Sequence, residues 1–223
     1  MEKAYRKLRM LYLPKESNIR TLGNPDLDFL TKLIYNPMSG IVYRRRYKAA
    51  LSLIDSDVAR ILEIGYGAGL LLPSLALRCR QLHGVDIHDK VPQVEGMLEK
   101  EGCHAELRVG SIMSLPFESC FFDLMVCLSV LEHLQPCELP TAMAEMARIL
   151  RDGGHLVLGF PIKNRLTSFL FKAVGFDDQK GHPSSHRSIM DQVKGNFAIT
   201  AINWYPSFLS LDHGLYVVIK CSK

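Results

Sequence analysis

No two of the chain's six cysteines stand in a CxxC pair, and several lie in apolar runs, where a free thiol behaves as a small hydrophobe. That pattern argues against a disulfide framework and for a reducing compartment. No stretch shows the charged, apolar, small-residue order of a signal peptide, and no apolar run approaches the length that crosses a bilayer. The expected location is therefore cytoplasmic, with peripheral contact at the inner face of a membrane as the variant. Internal repeats and low-complexity tracts are also missing, and there is no HExxH to seat a catalytic zinc.

What is present is enough for a full core: 223 residues with 48% apolar content. Charge is uneven. Residues 1–60 carry 12 Lys/Arg against 6 Asp/Glu, whereas residues 61–223 carry 15 against 17, so the whole excess of positive charge precedes residue 61. Ala4, Tyr5, Leu8, Leu11 and Tyr12 share one face at helical spacing until Pro14, which predicts a short basic amphipathic helix. Helical patterns follow in FLTKLIY and, past Pro37, through Tyr43, Tyr47, Ala50, Leu51 and Ile54, with Arg44, Arg45, Arg46 and Lys48 on the polar face. That run reads either as a solvated face or as an attraction to phosphate groups or an anionic surface. Residues 1–55 are expected to form an N-terminal helical cap and residues 56–223 the main domain.

From residue 59 strands and helices alternate, the pattern of a parallel sheet covered on both faces. ARILEIG, QLHGVDI, CHAELRVG, FFDLMVCLSV and HLVLGFP read as strands. A helix is predicted from Val91 to Glu101, another through Ala142, Met146 and Ile149 to a stop at Asp152-Gly153-Gly154, and a third from Ser188 to Lys194. Residues 163–185 read as an irregular, partly helical insertion. The last strands, NFAITAINWYP and GLYVVIKCS, can pair antiparallel at a sheet edge. Within ILEIGYGAG the first strand ends beside Glu63 and turns through Gly65, Gly67 and Gly69, which lets main chain approach a ligand closely. A helix is expected from Ala68 to Cys79 with Pro73 in its first turn. Asp86 ends the second strand 21 residues after Gly65, where a carboxylate accepts both hydroxyls of a ribose. A dinucleotide fits poorly, because Leu70 stands where the third small residue of the pyrophosphate fingerprint belongs and Glu63 would face phosphate. Tyr216 and Lys220 fail as a dehydrogenase-like pair, since a strand holds them roughly 13 Å apart.

ILEIGYGAG, Asp86, VGSIMSLPF, FFDLMVCLSVLEHL and RILRDGGHLVL together resemble the class I S-adenosylmethionine-dependent methyltransferases, in order over residues 59–161. The resemblance implies an α/β, Rossmann-like, doubly wound and mostly parallel seven-stranded sheet with an antiparallel C-terminal edge strand. It implies S-adenosylmethionine as cofactor and S-adenosylhomocysteine as product. Glu63, Gly65, Tyr66, Gly67 and Gly69 would then face the methionine end of the cofactor, Asp86 the ribose and Ile87 the adenine. Ser111 and Ile112 match the adenine-side position, and Cys127 and Leu128 the strand-four end beneath the sulfonium. Many relatives carry Asp where this chain has Ser111.

Transfer of a methyl group by direct displacement needs no nucleophilic triad, but an oxygen acceptor needs a base, usually histidine. The candidates are His133, after the fourth strand, and then His186 with His182. The alternative is that His133 caps or orients a loop and that the other two belong to an exposed loop. No metal is expected, because His182 and His186 have metal spacing only within a helix and Pro183 interrupts one. Pro136-Cys137 has the order of a cytosine C5 methyltransferase nucleophile but stands beyond the strand end where that chemistry is done, so it reads as a helix start. No Asn/Asp-Pro-Pro-aromatic motif follows the fourth strand, which sets nucleic acid aside as a substrate. The expected acceptor is a small molecule or a lipid-linked group. A non-catalytic nucleotide-binding or membrane-docking module on the same fold is the alternative. Neither the acceptor atom nor the oligomeric state is readable from the residues.

Overall fold

The computed structural model describes residues 11–19, 25–37, 39–55, 57–168 and 181–223. The basic amphipathic helix expected around residues 4–12 lies almost wholly outside them, as does much of the insertion at 163–185. The chain divides into two compact units, the first ending at Ser111 and the second beginning at Ile112. Their strands make a seven-stranded, mostly parallel sheet, as the sequence pattern and the family resemblance implied.

The first unit contains α1 (Glu16–Ile19), α2 (Pro25–Tyr35), α3 (Ser39–Ser52), β1 (Val58–Ile64), α4 (Leu72–Ala76), β2 (Cys79–Asp86), α5 (Val91–Lys100) and β3 (Glu106–Val109). Its strands run in the order β3-β2-β1, all parallel. Ile61 to Ile64 are buried without alternation, as in a strand covered on both faces. In α5 the buried residues are Val94, Met97 and Leu98, the i, i+3, i+4 stripe of a helix lying on a sheet. Each such side chain contributes about 1.5–3 kcal/mol by leaving water. One expectation needs correction here. The helix after the glycine turn runs only from Leu72 to Ala76, with Pro73 in its first turn, and Cys79 already opens β2. Leu70 and Leu71 are buried within the turn itself, and a run buried on every side imitates helical spacing.

The second unit contains β4 (Phe122–Leu128), a 3₁₀ turn (Leu131–His133), α6 (Leu139–Ile149), β5 (Leu150–Pro161), α7 (His186–Asn196), β6 (Ala198–Tyr205), a second 3₁₀ turn (Leu211–His213) and β7 (Tyr216–Ser222). Here the order is β4-β5-β7-β6, and both antiparallel pairings involve β7. The C-terminal strand thus lies one place in from the rim, and the antiparallel pair β7-β6 closes the edge. Asp152-Gly153-Gly154 does not stop a helix: α6 ends at Ile149 and β5 begins at once. Phe122 pairs with Leu150 and Leu124 with His155, so residues 151–154 bulge out of the ladder. Gly153, at φ +69°, supplies the left-handed residue that a bulge and a helix C-terminus both require.

Residues 12–18 dock on the first unit's own helices. Tyr12 N donates to Ser74 Oγ at 2.8 Å, and that hydroxyl donates back to Tyr12 O at 2.8 Å. Past the end of α5, Glu101 accepts from Tyr12 Oη at 2.9 Å, Lys15 N at 2.7 Å and Asn18 Nδ2 at 2.6 Å. Burial is the largest single influence on the Glu101 carboxyl and raises it, but these donors together outweigh it and hold the group below its ordinary value. On α3 the basic run is partly used internally. Arg44 Nε donates to Ile34 O at 3.2 Å, and the Arg46 guanidinium lies 4.4 Å from the Tyr43 ring centre and 5.1 Å from that of Tyr47. Arg45 and Lys48 face solvent.

Glu101→Ala should lower stability by about 1 kcal/mol in denaturant titration and open residues 11–19 to proteolysis. Because the folded-state pKa is depressed, the wild-type advantage is present at neutral pH and disappears as pH falls through the carboxylate range. A wild-type difference that persists below that range would remove Glu101 from this role.

Candidate functional site

The turn after β1 is left-handed at alternate residues: Gly65 at φ +74°, Gly67 at +53° and Gly69 at +73°. Side chains rarely adopt that conformation, which explains the glycine spacing. At Gly69 a Cβ would also stand 2.7 Å from Val94 Cγ1 and 2.9 Å from Met97 Cε, so the turn sits directly against α5. Tyr66, between the glycines, is buried at 3% exposure. Room for its ring comes from Gly84 in β2, where a Cβ would meet Tyr66 Cδ1 at 2.9 Å and Leu107 Cδ2 at 2.6 Å. Gly84 was not among the expected site residues, although an isolated glycine inside a strand pattern is the signal for such a close approach.

Asp86 lies at the end of β2 and reaches back to the turn. Its Oδ2 accepts from Gly67 N at 2.8 Å, and its Oδ1 accepts from His88 N at 3.3 Å. Each carboxylate oxygen keeps lone-pair capacity beyond these bonds. His88, also absent from the expected set, completes the brace. Its Nδ1 accepts from Lys90 N at 3.1 Å, so Nε2 carries the hydrogen and donates to Gly67 O at 2.9 Å. The His88 ring meets Tyr66 edge-on with centres 5.1 Å apart. Gly67 is therefore held at both its N–H and its carbonyl.

Glu63 sits beside Gly84 in the β1–β2 register and is 5% exposed. Burial first, and then the charge of Asp86, push its carboxyl well above the usual range. Its buried Oε2 has no hydrogen-bond partner among the described residues, and neither has the buried Tyr66 Oη. At the other strand ends Ile87 projects into solvent at 79% exposure, and Ser111 is exposed. So Glu63, the three glycines, Tyr66 and Asp86 are gathered at the C-terminal ends of β1 and β2, the end of an open sheet where ligands bind.

In the second unit Ile112, Cys127 and Leu128 are buried, at 6%, 1% and 8% exposure. Beyond β4, Ser129 adopts φ +57°, with its N donating to Gly159 O at 2.7 Å and its hydroxyl 2.9 Å from that of Tyr216. The histidines part company. His186 opens α7 and is 5% exposed; its Nδ1 accepts from Lys163 N at 3.1 Å and its Nε2 donates to Asp212 Oδ1 at 3.2 Å. Both ring nitrogens are thus engaged, and the geometry is that of an anchor for residue 163. The hydrogen bond from His186, followed by Arg187, holds the Asp212 carboxyl below its ordinary value. His182 lies outside the helix, since Ser185 is its N-cap, and pairs instead with His133, ring centres 4.9 Å apart. His133 is exposed, with Nδ1 2.8 Å from Gly181 O.

Residues 62–158 match a family model described as a methyltransferase domain. A ubiquinone biosynthesis O-methyltransferase of Marinobacter nauticus is 32% identical over 136 residues, covering 56% of this chain and 55% of that protein. Nodulation protein S of Rhizobium tropici is 31% identical over 110 residues, covering 49% of this chain and 46% of its own. The chain thus spans about half the length, or less, of the curated relatives it matches. Among solved structures, the N-methyltransferase NodS of Bradyrhizobium japonicum in complex with S-adenosylhomocysteine superposes with a TM-score of 0.67 at 22% identity, covering 93% of this chain and 97% of that one. The [4+2]-cyclase SpnF superposes at 0.64 with 16% identity over 80% of each chain. A cyclase on this fold shows that the fold alone does not fix a reaction.

Asp86→Ala should destabilise the protein by about 1–3 kcal/mol, because the Gly67 and His88 amides lose a charged acceptor. Gly84→Ala should cost about 1–3 kcal/mol through overpacking against Tyr66 and Leu107. Glu63 acts with the opposite sign to Glu101. Its raised pKa means the ligand-free protein loses stability as pH rises through the folded-state value, and Glu63→Gln should flatten that loss in thermal melts taken across the pH range. Parallel pH profiles for Glu63→Gln and wild type would show that Glu63 is not buried as described.

Proposed function

We propose that this chain, which carries a methyltransferase-domain match over residues 62–158, is a class I S-adenosylmethionine-dependent methyltransferase, that the strand-end site of the first unit binds S-adenosylmethionine and that the protein transfers its methyl group to a small-molecule acceptor. The observation that carries this reading is the buried Glu63 carboxyl with an orphaned oxygen beside a second carboxylate, Asp86. Two adjacent acids in a low-dielectric strand end disfavour a pyrophosphate and favour a cation. A ligand bearing an ammonium group and a sulfonium supplies that charge, and its ammonium gives Glu63 Oε2 the donor it lacks. Asp86 retains acceptor capacity for a ribose while its other lone pairs hold the turn. Gly65, Gly67 and Gly69 keep side chains off the ligand, Ile87 offers apolar area to a base, and the Ser111 hydroxyl serves a base amino group.

When bound, the cofactor provides an electrophilic methyl group on a positively charged sulfur. The protein's part in a direct displacement is to hold donor and acceptor in line, which is worth roughly 7–11 kcal/mol of the barrier without a covalent intermediate. The proposed cofactor set extends to Ile112, Cys127 and Leu128, which rest on the family resemblance. The acceptor class draws on relatives named for O-methylation in ubiquinone biosynthesis and for N-methylation. Residues 1–55 are proposed as a cap that orders the acceptor.

Titration calorimetry with S-adenosylmethionine and S-adenosylhomocysteine should give saturable binding of both. Glu63→Gln should weaken each by about tenfold to a hundredfold, the size of a lost charged hydrogen bond. Absence of saturable heat from either compound would end this reading. With binding in hand, mass-spectrometric profiling of extracts for species that gain one methyl group identifies the acceptor.

A further inference from the structure

Glu132 and His133 end the short turn after β4, and His182 lies in the turn before α7, some 50 residues away in sequence. One carboxylate oxygen of Glu132 and one ring nitrogen from each histidine lie within 4.8 Å of one another. We propose that these three residues bind a divalent transition-metal ion of the zinc class, two imidazole nitrogens and one carboxylate oxygen forming the protein ligands and the exposed His133 side leaving a position open. The proposal does not depend on the cofactor reading above, and it gives His133 a ligand role in place of a general base.

The donor set selects the metal. Imidazole suits zinc and its neighbours, whereas magnesium and calcium take oxygen ligands. Tautomer selection is built in. Gly181 O can only accept, so His133 Nδ1 carries the hydrogen and Nε2 keeps its lone pair. A carbonyl bonded to the second nitrogen is how metal-ligating histidines are commonly oriented. The main chain around the cluster is fixed by bonds that use none of the ligand atoms: Ser184 N to Glu132 O at 3.3 Å, Ser184 Oγ to Leu134 O at 2.6 Å, and Lys163 Nζ to His182 O at 3.0 Å. Glu132 is 2% exposed and His182 7%, so two of the three ligands are held by their surroundings while His133 is able to move. Tetrahedral zinc with bonds of about 2.0–2.1 Å needs ligand atoms about 3.4 Å apart, a closure that side-chain rotation supplies. A bound ion would fasten residues 131–134 to residues 181–185.

The test is zinc titration of the untagged full chain, stripped with chelator and followed by calorimetry and thermal melts. One equivalent should bind, and zinc should raise the melting temperature. His133→Ala, at an exposed position, should weaken binding at least tenfold, and His133→Ala with His182→Asn should abolish the saturable site. Cobalt(II) in the same site should give a spectrum without a thiolate-to-metal charge-transfer band, which separates it from the six free cysteines. No saturable zinc binding, equal binding by the double variant, or a thiolate band would overturn the proposal. Because the readout is metal uptake and not turnover, either result leaves the methyl-transfer reading to its own experiment.

Discussion

The bond from Gly67 N to Asp86 Oδ2 ties the end of β2 to the turn that follows β1. Left-handed glycines alone make a turn permissive, not fixed, because glycine gains conformational freedom in exactly the measure that it loses preference. The carboxylate converts permission into one conformation. His88 adds a second hold on the same residue through Gly67 O, and the Tyr66 ring is kept in place by His88 on one side and the bare Gly84 on the other. Everything at this strand end is then set: the amides, the two acids and the exposed Ile87. A site made of main chain has to be rigid before it can recognise anything, and here the rigidity comes from the neighbouring strand.

Glu63 is the counterpart of that brace. Asp86 accepts from Gly67 N in the turn after β1 and from His88 N beyond β2, whereas Glu63 is raised by burial and then by its neighbour's charge, and is left with an oxygen that nothing described reaches. An unpaired buried acid lowers stability, and proteins retain such groups where a ligand completes them. The two acids differ in the way expected of a scaffold residue and a recognition residue.

Four of the chain's eight histidines meet three separate fates. His88 braces the glycine turn, His186 spans Lys163 and Asp212, and His133 and His182 come together with Glu132. Residue type suggested one role for the last three, a base near an acceptor. The tertiary partners distinguish them, since what an imidazole does depends on which nitrogen is already committed. The basic helix face divides in a similar way: Arg44 and Arg46 turn inward to a carbonyl and two tyrosine rings, while Arg45 and Lys48 are exposed.

The sequence by itself determined the alternation of strands and helices, the turn through Gly65, Gly67 and Gly69, and the acid at position 86. All three are local: periodicity, φ freedom and a residue at a strand end need only near neighbours in the chain. It also contained the paired edge strands, because two apolar runs separated by a short loop have few other ways to satisfy their backbones. Local reading failed where a residue's meaning comes from a distant one. Leu70 and Leu71 looked helical and are a buried turn. Asp152-Gly153-Gly154 looked like a helix stop and is a bulge set by the register with β4. Gly84 matters only because Tyr66 packs on it, and His182 only because His133 stands beside it. Such pairings, tens of residues apart in the chain, are decided by strand register and packing, and no spacing along the sequence encodes them.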